Sequence, residues 1–248
     1  MADDEWVRAG LAAAVAGPGG GDAVERLCAG CVNLLSVDGA GLSLISGSAF
    51  YSVGSCGAGI GAMDELQFTL GEGPCLDAIS LFAPVLAADL TGASKKRWPA
   101  FAPEAVQLGV RAVFSLPVTV AGFPIGVLTV CRQLPGHLTG GTLTGFFLAA
   151  ELAVLPLLDL LGADMRSAVN DIGSPAWADL GSMMRSEVYQ AAGVLIAQLG
   201  IPPAEAMVRL RAHAFAAGLS VSDVAYQVID HRLYLDDDNN QDRPGSER

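Results

Sequence analysis

Cys28 and Cys31 make the Cys-x-x-Cys spacing in this chain, and such a pair can grip a soft metal or run thiol–disulfide exchange. A closed metal site needs a second ligand pair, and none follows at a suitable spacing. Both thiols also fall on an apolar helical stripe, Val24, Leu27, Cys28, Cys31, Leu34 and Leu35, which asks for burial. The histidines, His137, His213 and His231, pair with no serine or cysteine in a recognisable nucleophile arrangement, and His137 sits in the turn LPGHLTG. The glycine-rich strings GGGD and GAGIGAMD do not join a strand cleanly to a helix, so neither reads as a phosphate cradle. The expectation is a chain with no catalytic or metal centre, and not an enzyme.

Two stretches keep some chemistry. In LGEGPCLDAIS (70–80), two glycines and a proline force a tight turn before one or two helical turns. Glu72, Cys75 and Asp77 there are candidates for the lip of a small-molecule pocket, since binding residues favour loops on a rigid sheet. SKKRWPAF (94–101) adds Arg97 and Trp98, a cation and a ring that can pair and stack with an anionic ligand. The same residues also read as an ordered structural loop and a solvated charge cluster.

The elements that must position these residues follow from periodicity. Asp22 with Glu25 resembles a capping box opening the Cys28 helix. GAGLSLISGSAFYSVGS (39–55) reads as two short strands about a Gly/Ser turn, and PVLAADL (84–90) as another strand. The segment 111–133 is the clearest hairpin: Ala112, Phe114, Leu116, Val118 and Val120 alternate on one strand, Ile125, Val127, Thr129 and Cys131 on the next, with Ala121-Gly122 as the turn. The middle reads as irregular. GFFLAAELAVLPLLDLL (145–161) is an apolar helix interrupted by Glu151, Pro156 and Asp159; it is short for a membrane span of about 20 residues and reads as a buried interface helix. The order predicts an α+β domain, an antiparallel sheet with flanking helices.

NDIGSPAWAD (170–179) marks a boundary, and the rest is helical. Leu180, Met184, Val188, Ala191, Leu195 and Leu199 line one helix, which Gly200 stops; Pro202-Pro203 opens a second, lined by Ala206, Leu210, Ala214 and Ala217. Gly218-Leu219 has a Schellman-like pattern, and Ser220-x-x-Asp223 caps a third helix lined by Val224, Ala225, Val228 and Ile229.

Composition bounds the function. Apolar residues make up 52% of the 248, enough for a real core, and the net charge of −12 argues against a generic basic surface for nucleic acid. The charge is uneven. Residues 1–181 carry 8 Lys/Arg against 17 Asp/Glu, residues 182–235 carry 4 against 4, and the last thirteen carry 2 against 5. MADDEWVRAG has no basic, apolar leader, and an odd five cysteines fit reduced thiols, so a cytoplasmic protein is expected.

The string MDELQFTLGEGPCLDAI, followed by PVLAADL and RWPAFAPEAVQLGVRAVFSLPVTVAGFPIGVLTVCRQLPG, resembles the GAF domains of actinobacterial regulators. VYQAAGVLIAQLGIPPAEAMVRLRAHAFAAGLSVSDVAYQVI resembles an ANTAR domain, through Ala191, Gly193 and Leu195, then Ala206, Leu210 and Arg211, then Asp223 and Ala225. The resemblance implies a GAF-like sensor and dimerisation domain at 22–161, a linker at 162–176, an ANTAR-like three-helix domain at 177–235 and an acidic disordered tail at 236–248. It implies an antiterminator that binds structured, hairpin-bearing leader RNA, with a small-molecule ligand of unidentified type in the GAF-like domain. No membrane or DNA partner is expected. Arg211, Arg209, His213, Arg185, Arg232 and Tyr234 are then the RNA-binding candidates. Arg209 and His213 stand one turn apart. Ala192 departs from the pattern, which commonly has a basic residue there. With few cations per chain, RNA binding is expected to need a homodimer that doubles the phosphate contacts, paired through helix 145–161 and the first C-terminal helix. The alternative is a module whose three helices dock a protein; it gains if Glu187, Glu205 or Asp230 ties up the arginines.

Overall fold

Helices α1 (Ala2–Val15) and α2 (Gly21–Leu34) precede strands β1 (Gly39–Ser46) and β2 (Ala49–Gly57). Then come α3 (Ile60–Leu70), α4 (Pro74–Leu81), the short β3 (Val85–Ala87), α5 (Ser94–Arg97) and α6 (Phe101–Gln107). Strands β4 (Ala112–Val120) and β5 (Phe123–Arg132) lead into α7 (Gly140–Leu152) and α8 (Val154–Asn170). The structure, a computed structural model, describes residues 2–46, 49–170 and 185–235. The chain divides into two compact units, Met1–Met184 and Arg185–Arg248.

The first unit is built on one antiparallel sheet of order β2-β1-β5-β4-β3. Its centre is the β4–β5 hairpin, and both turn residues have positive φ, 50° at Ala121 and 83° at Gly122. That is the turn whose twist matches the strands it joins. One face of the sheet is apolar. Ala40, Leu42, Leu44, Phe114, Leu116, Val118, Leu128 and Val130 pack with Leu11 of α1, Leu27 and Cys31 of α2, Phe146 of α7 and Leu157 of α8. Gly145 lets these helices approach: a Cβ there would meet Leu35 at 2.5 Å and Val7 at 2.8 Å. The opposite face carries α3 and α4 and holds the buried polar side chains Ser43, Asp64, Gln67, Thr69, Ser115 and Thr129.

Several expectations change. Asp22 lies inside the first turn of α2, with Gly20 as N-cap and no side-chain cap bond; its carboxylate meets the positive helix end without capping it. The middle is helical and not irregular. Its period escapes notice because Asp64 and Gln67 occupy buried positions of α3 beside Met63 and Phe68, so polarity does not mark the solvent side. Helix α1, unassigned from sequence, contributes Val7 and Leu11 to the core. The apolar helix begins earlier, at Gly140, and is broken at Ala153; Pro156 then falls in the first turn of α8, where its missing N–H has no intrahelical partner to lose. Helix α8 runs on to Asn170, so the expected linker from residue 162 starts as helix. Gly140–Gly162 is long and apolar enough to cross a membrane by length and composition, and 39% of its most apolar window is buried inside the protein.

The second unit is three helices: α9 (Ser186–Leu199), α10 (Pro203–Ala217) and α11 (Val221–Ile229). Val188, Ala191 and Leu195, Ala206, Leu210 and Ala214, and Val224, Ala225 and Val228 form its core. Gly200 and Gly218 end α9 and α10 in the left-handed conformation, and the Leu219 N–H reaches back to the Ala214 carbonyl at 2.9 Å, the long bond of a Schellman motif. The Ser220 hydroxyl accepts from the Asp223 N–H at 3.0 Å and caps α11. Ala217, expected on the buried stripe, is exposed, because α10 is already closing at Gly218. The Gly-Ser-Pro boundary, Leu180, Met184 and the tail 236–248 lie outside the described residues.

Candidate functional site

On the second unit the RNA-binding candidates differ in how much of each guanidinium faces water. Arg209 points back along α10 to Glu205, with Nη2 2.8 Å and Nε 3.2 Å from the same carboxylate oxygen. Arg232 donates to Asp230 just beyond α11. Arg211, on another side of α10, is half-buried beside Tyr189 of α9. Burial lowers its pKa, and the Tyr189 phenol works the other way. Arg185 stands half-buried at the N-cap of α9 with positive φ, and His213 is half-buried one turn after Arg209. His231 and the exposed Tyr234 stack at 6.4 Å. Glu187 takes a hydrogen bond from Ser222 at 2.8 Å and so ties α9 to α11.

Three exposed aromatic rings join these groups: Tyr189, Phe215 and Tyr226. Sequence reasoning misses them. The available signal was that each sits one residue past a core position, after Val188, Ala214 and Ala225, and therefore off the buried stripe. Flat rings beside guanidinium groups suit base stacking. Ala192 is buried, so a long basic side chain at that position would have to emerge from beneath its neighbours.

In the first unit, Asp77, Arg97 and Trp98 come together, and Glu72 holds the backbone that follows them, while Cys75 lies apart among Gln67, Asp64 and Thr129. Glu72 Oε1 accepts from the Ala100 and Phe101 N–H groups, both at 2.7 Å, at the start of α6. Asp77 Oδ2 accepts from Arg97 Nε at 2.6 Å and from Trp98 Nε1 at 3.1 Å. The Arg97 guanidinium lies 4.9 Å from the Trp98 ring centroid. These bonds strap the 94–101 segment to the α3–α4 turn. Cys75 is fully buried, its N–H bonded to Gln67 Oε1 at 2.8 Å and its thiol pKa raised well above the ordinary value, first by burial. Beside it the Ser115 and Thr129 hydroxyls bond at 3.0 Å across the hairpin. Gln67 Nε2 and Thr69 Oγ1 are buried without a hydrogen-bond partner. Ser115 and Thr129 are legible as the polar pair on one face of an otherwise apolar hairpin; Asp64 and Gln67 carry no such signal. Among the described residues no cluster of three His, Cys, Asp or Glu is placed to hold a metal.

An antiparallel five-stranded sheet covered by helices on both faces, followed by a three-helix unit, defines an α+β domain and a small helical one. Comparison makes both specific. The ANTAR domain family matches residues 184–229, the span of the three helices. The first unit resembles the GAF domain of an Acinetobacter phosphoenolpyruvate-protein phosphotransferase, with a TM-score of 0.52 at 13% identity, covering 66% of this chain and 97% of that one. Further matches are the corresponding GAF domain from Coxiella burnetii (TM-score 0.48, 18% identity, 61% and 94% covered) and a type II free methionine-R-sulfoxide reductase from Thermoplasma acidophilum (0.44, 15%, 64% and 96%). No curated protein sequence matches the chain. The chain therefore joins a GAF-like fold to an ANTAR domain. ANTAR domains are RNA-binding antitermination modules.

Proposed function

We propose that this chain is a transcription antiterminator of the actinobacterial type that binds hairpin-bearing leader RNA as a homodimer, under control of its GAF-like unit. It acts as a regulator in the cytoplasm and not as an enzyme. The observation that carries the reading is the coincidence of the ANTAR match, 184–229, with α9–α11. Arg211 is the central contact, flanked by Tyr189 and Phe215 for stacking, with Arg209, His213, Arg185, Arg232 and Tyr234 as further contacts. Residues 185–235 carry four arginines against four acids, so a single copy offers few phosphate contacts, and two copies are needed for useful affinity. A small-molecule signal would enter the first unit at the polar face under α3 and α4, beside Glu72, Cys75, Asp77, Arg97 and Trp98. The unpartnered Gln67 amide nitrogen and Thr69 hydroxyl are groups it would satisfy.

The test is binding of the full chain to a two-hairpin leader RNA at two salt concentrations, with wild type and Arg211→Ala compared. The expected result is affinity that falls with salt, by roughly 0.7 log units per phosphate contact per log unit of salt, and that drops on Arg211→Ala with fold retained. Salt-independent retention, or none changed by Arg211→Ala, would count against RNA as the ligand.

A second reading, protein docking by the three helices, is favoured by the Arg209–Glu205 and Arg232–Asp230 pairs. Exposed pairs of this kind contribute about 0–1 kcal/mol, so a phosphate can displace the carboxylate, and RNA remains the preferred reading.

A further inference from the structure

We infer that Cys56 and Cys28 form a peroxide-operated thiol switch: a hydroperoxide oxidises Cys56, and Cys28 closes a disulfide on it that ties α2 to the edge strand β2. The switch stands apart from RNA binding and does not depend on it.

The five cysteines divide between the two faces of the sheet. Cys131 faces α3: a Cβ at Gly39 would meet its sulfur at 2.9 Å and Ile60 of α3 at 3.2 Å. Cys75 is buried in α4 on the same side. Cys28 and Cys31 lie in the apolar core of the other face together with Ala40 of β1. Cys56 pairs with Ala40 across the strands and packs against that core. All five thiols are free, and Cys56 is the one that is not buried.

The partner of Cys56 follows from the fit of α2 on β2. Gly54 lets the helix come close: a Cβ there would meet Val24 Cγ1 at 2.6 Å and the Glu25 backbone nitrogen at 3.6 Å. One turn on from Val24 comes Cys28, about 6 Å along the helix. The next residue after Gly54 on the same face of β2 is Cys56, about 6.6 Å along the strand. The two steps match, so thiol comes to thiol. The Cys28 thiol donates to the Gly54 carbonyl, with Sγ 3.6 Å from the oxygen, and so points at this part of β2. Electrostatics agree. Burial first, and then a charge on Cys56, push the Cys28 thiol up to about 12, whereas the charge that bears on Cys31 is that of Cys28. The redox partner of Cys28 is thus a cysteine on a neighbouring strand and not the one its Cys-x-x-Cys spacing names.

The chemistry balances with hydrogen peroxide as oxidant. The Cys56 sulfur attacks one peroxide oxygen; the S–O bond forms, the O–O bond breaks, and the departing hydroxide takes the Cys56 proton as water. The Cys28 sulfur then attacks the sulfur of the resulting sulfenic acid. The S–S bond forms, the S–OH bond breaks, and hydroxide leaves as water with the Cys28 proton. The sulfurs lose two electrons and the peroxide gains them. Burial keeps Cys28 protonated, so the first step falls to Cys56 and the second is slow. That suits a switch thrown by sustained peroxide and not a catalyst.

The experiment treats the reduced full chain with equimolar hydrogen peroxide, alkylates the remaining thiols in denaturant and maps the digested peptides by mass spectrometry. The expected product is an intramolecular Cys28–Cys56 cross-link, with Cys31, Cys75 and Cys131 alkylated. Dithiothreitol should reverse it, and the oxidised chain should unfold at higher urea than the reduced one. Cys28→Ser should stop at the Cys56 sulfenic acid, which dimedone traps. Should that variant lose its fold, Cys56→Ser, at a half-buried position, keeps the test open: it should lose no thiol at the same dose. Wild type that loses no thiol overturns the proposal. So does a Cys56 sulfinic acid beside an alkylated Cys28, a Cys28–Cys31 bond, or a Cys56–Cys56 bond between two chains.

Discussion

Arg209 and Glu205 are bound to each other one turn apart on α10, with Arg209 Nη2 2.8 Å from Glu205 Oε1. The pair is worth about 0.3–0.5 kcal/mol to the helix and holds the guanidinium against a carboxylate where a phosphate would otherwise sit. Glu205→Gln keeps the length of the side chain and removes the competing charge. If the helices bind RNA, the variant should bind the two-hairpin RNA about twofold more tightly, with a steeper salt dependence. Fluorescence anisotropy at two ionic strengths reads both. Unchanged RNA retention, together with weakened capture of a protein partner, would shift the assignment to protein docking.

The cap on α11 tests how the second unit holds together. Ser220 supplies the hydroxyl that satisfies the Asp223 N–H, and Ser222 on the same helix bonds Glu187 of α9. Ser220→Ala should cost about 1 kcal/mol, and Ser220→Thr should recover most of it, because its hydroxyl can accept from the Asp223 N–H and donate to the Asp223 carboxylate as serine does. Urea unfolding followed by circular dichroism measures the difference. Equal midpoints for wild type and Ser220→Ala would mean that the cap contributes nothing here.

The buried thiols give a pH dependence with a definite sign. Burial raises the pKa of Cys28 and of Cys131 from 9.0 to about 12. Above pH 9 the unfolded chain releases these protons while the folded one keeps them. Stability from this source is therefore fully present below pH 9 and lost as pH rises towards about 12. The slope is about 1.4 kcal/mol per pH unit for each thiol. Urea midpoints at pH 8 and pH 10.5 should fall less in a Cys28→Ala/Cys131→Ala variant than in wild type. An identical fall would place the alkaline sensitivity elsewhere.

The fold is legible where one physical signal dominates. The alternation in β4 and β5 and the glycine-ended stripes of α9 to α11 identify those elements because most apolar residues there face the core. Helix α3 is illegible for the converse reason: Asp64 and Gln67 are buried in it, so its polar residues point inward. The Glu205–Arg209 pair follows from helical spacing, whereas the Arg232–Asp230 pair depends on the chain leaving the helix at Asp230, which no periodicity describes. Glu72, Asp77, Arg97 and Trp98 carry the right residue types for a ligand, but their sequence gives no hint that Asp77 binds Arg97 and Trp98, or that Glu72 binds the Ala100 and Phe101 N–H groups, across twenty or more positions.

Within this strap Glu72 is the most informative residue. One carboxylate oxygen accepts two backbone N–H groups at the start of α6, joining α6 to the turn between α3 and α4. Glu72→Ala removes the acceptor and leaves both N–H groups unpaired, at a cost of about 2 kcal/mol. Glu72→Gln retains an oxygen at the same reach and should lose less than half of that, since the bond survives without its charge. Asp77→Asn, which weakens the hold on Arg97 and Trp98, should fall between the two. Urea midpoints rank the three variants. A Gln variant as unstable as the Ala variant would mean that the negative charge itself, and not its hydrogen bonding, is what the 94–101 segment needs.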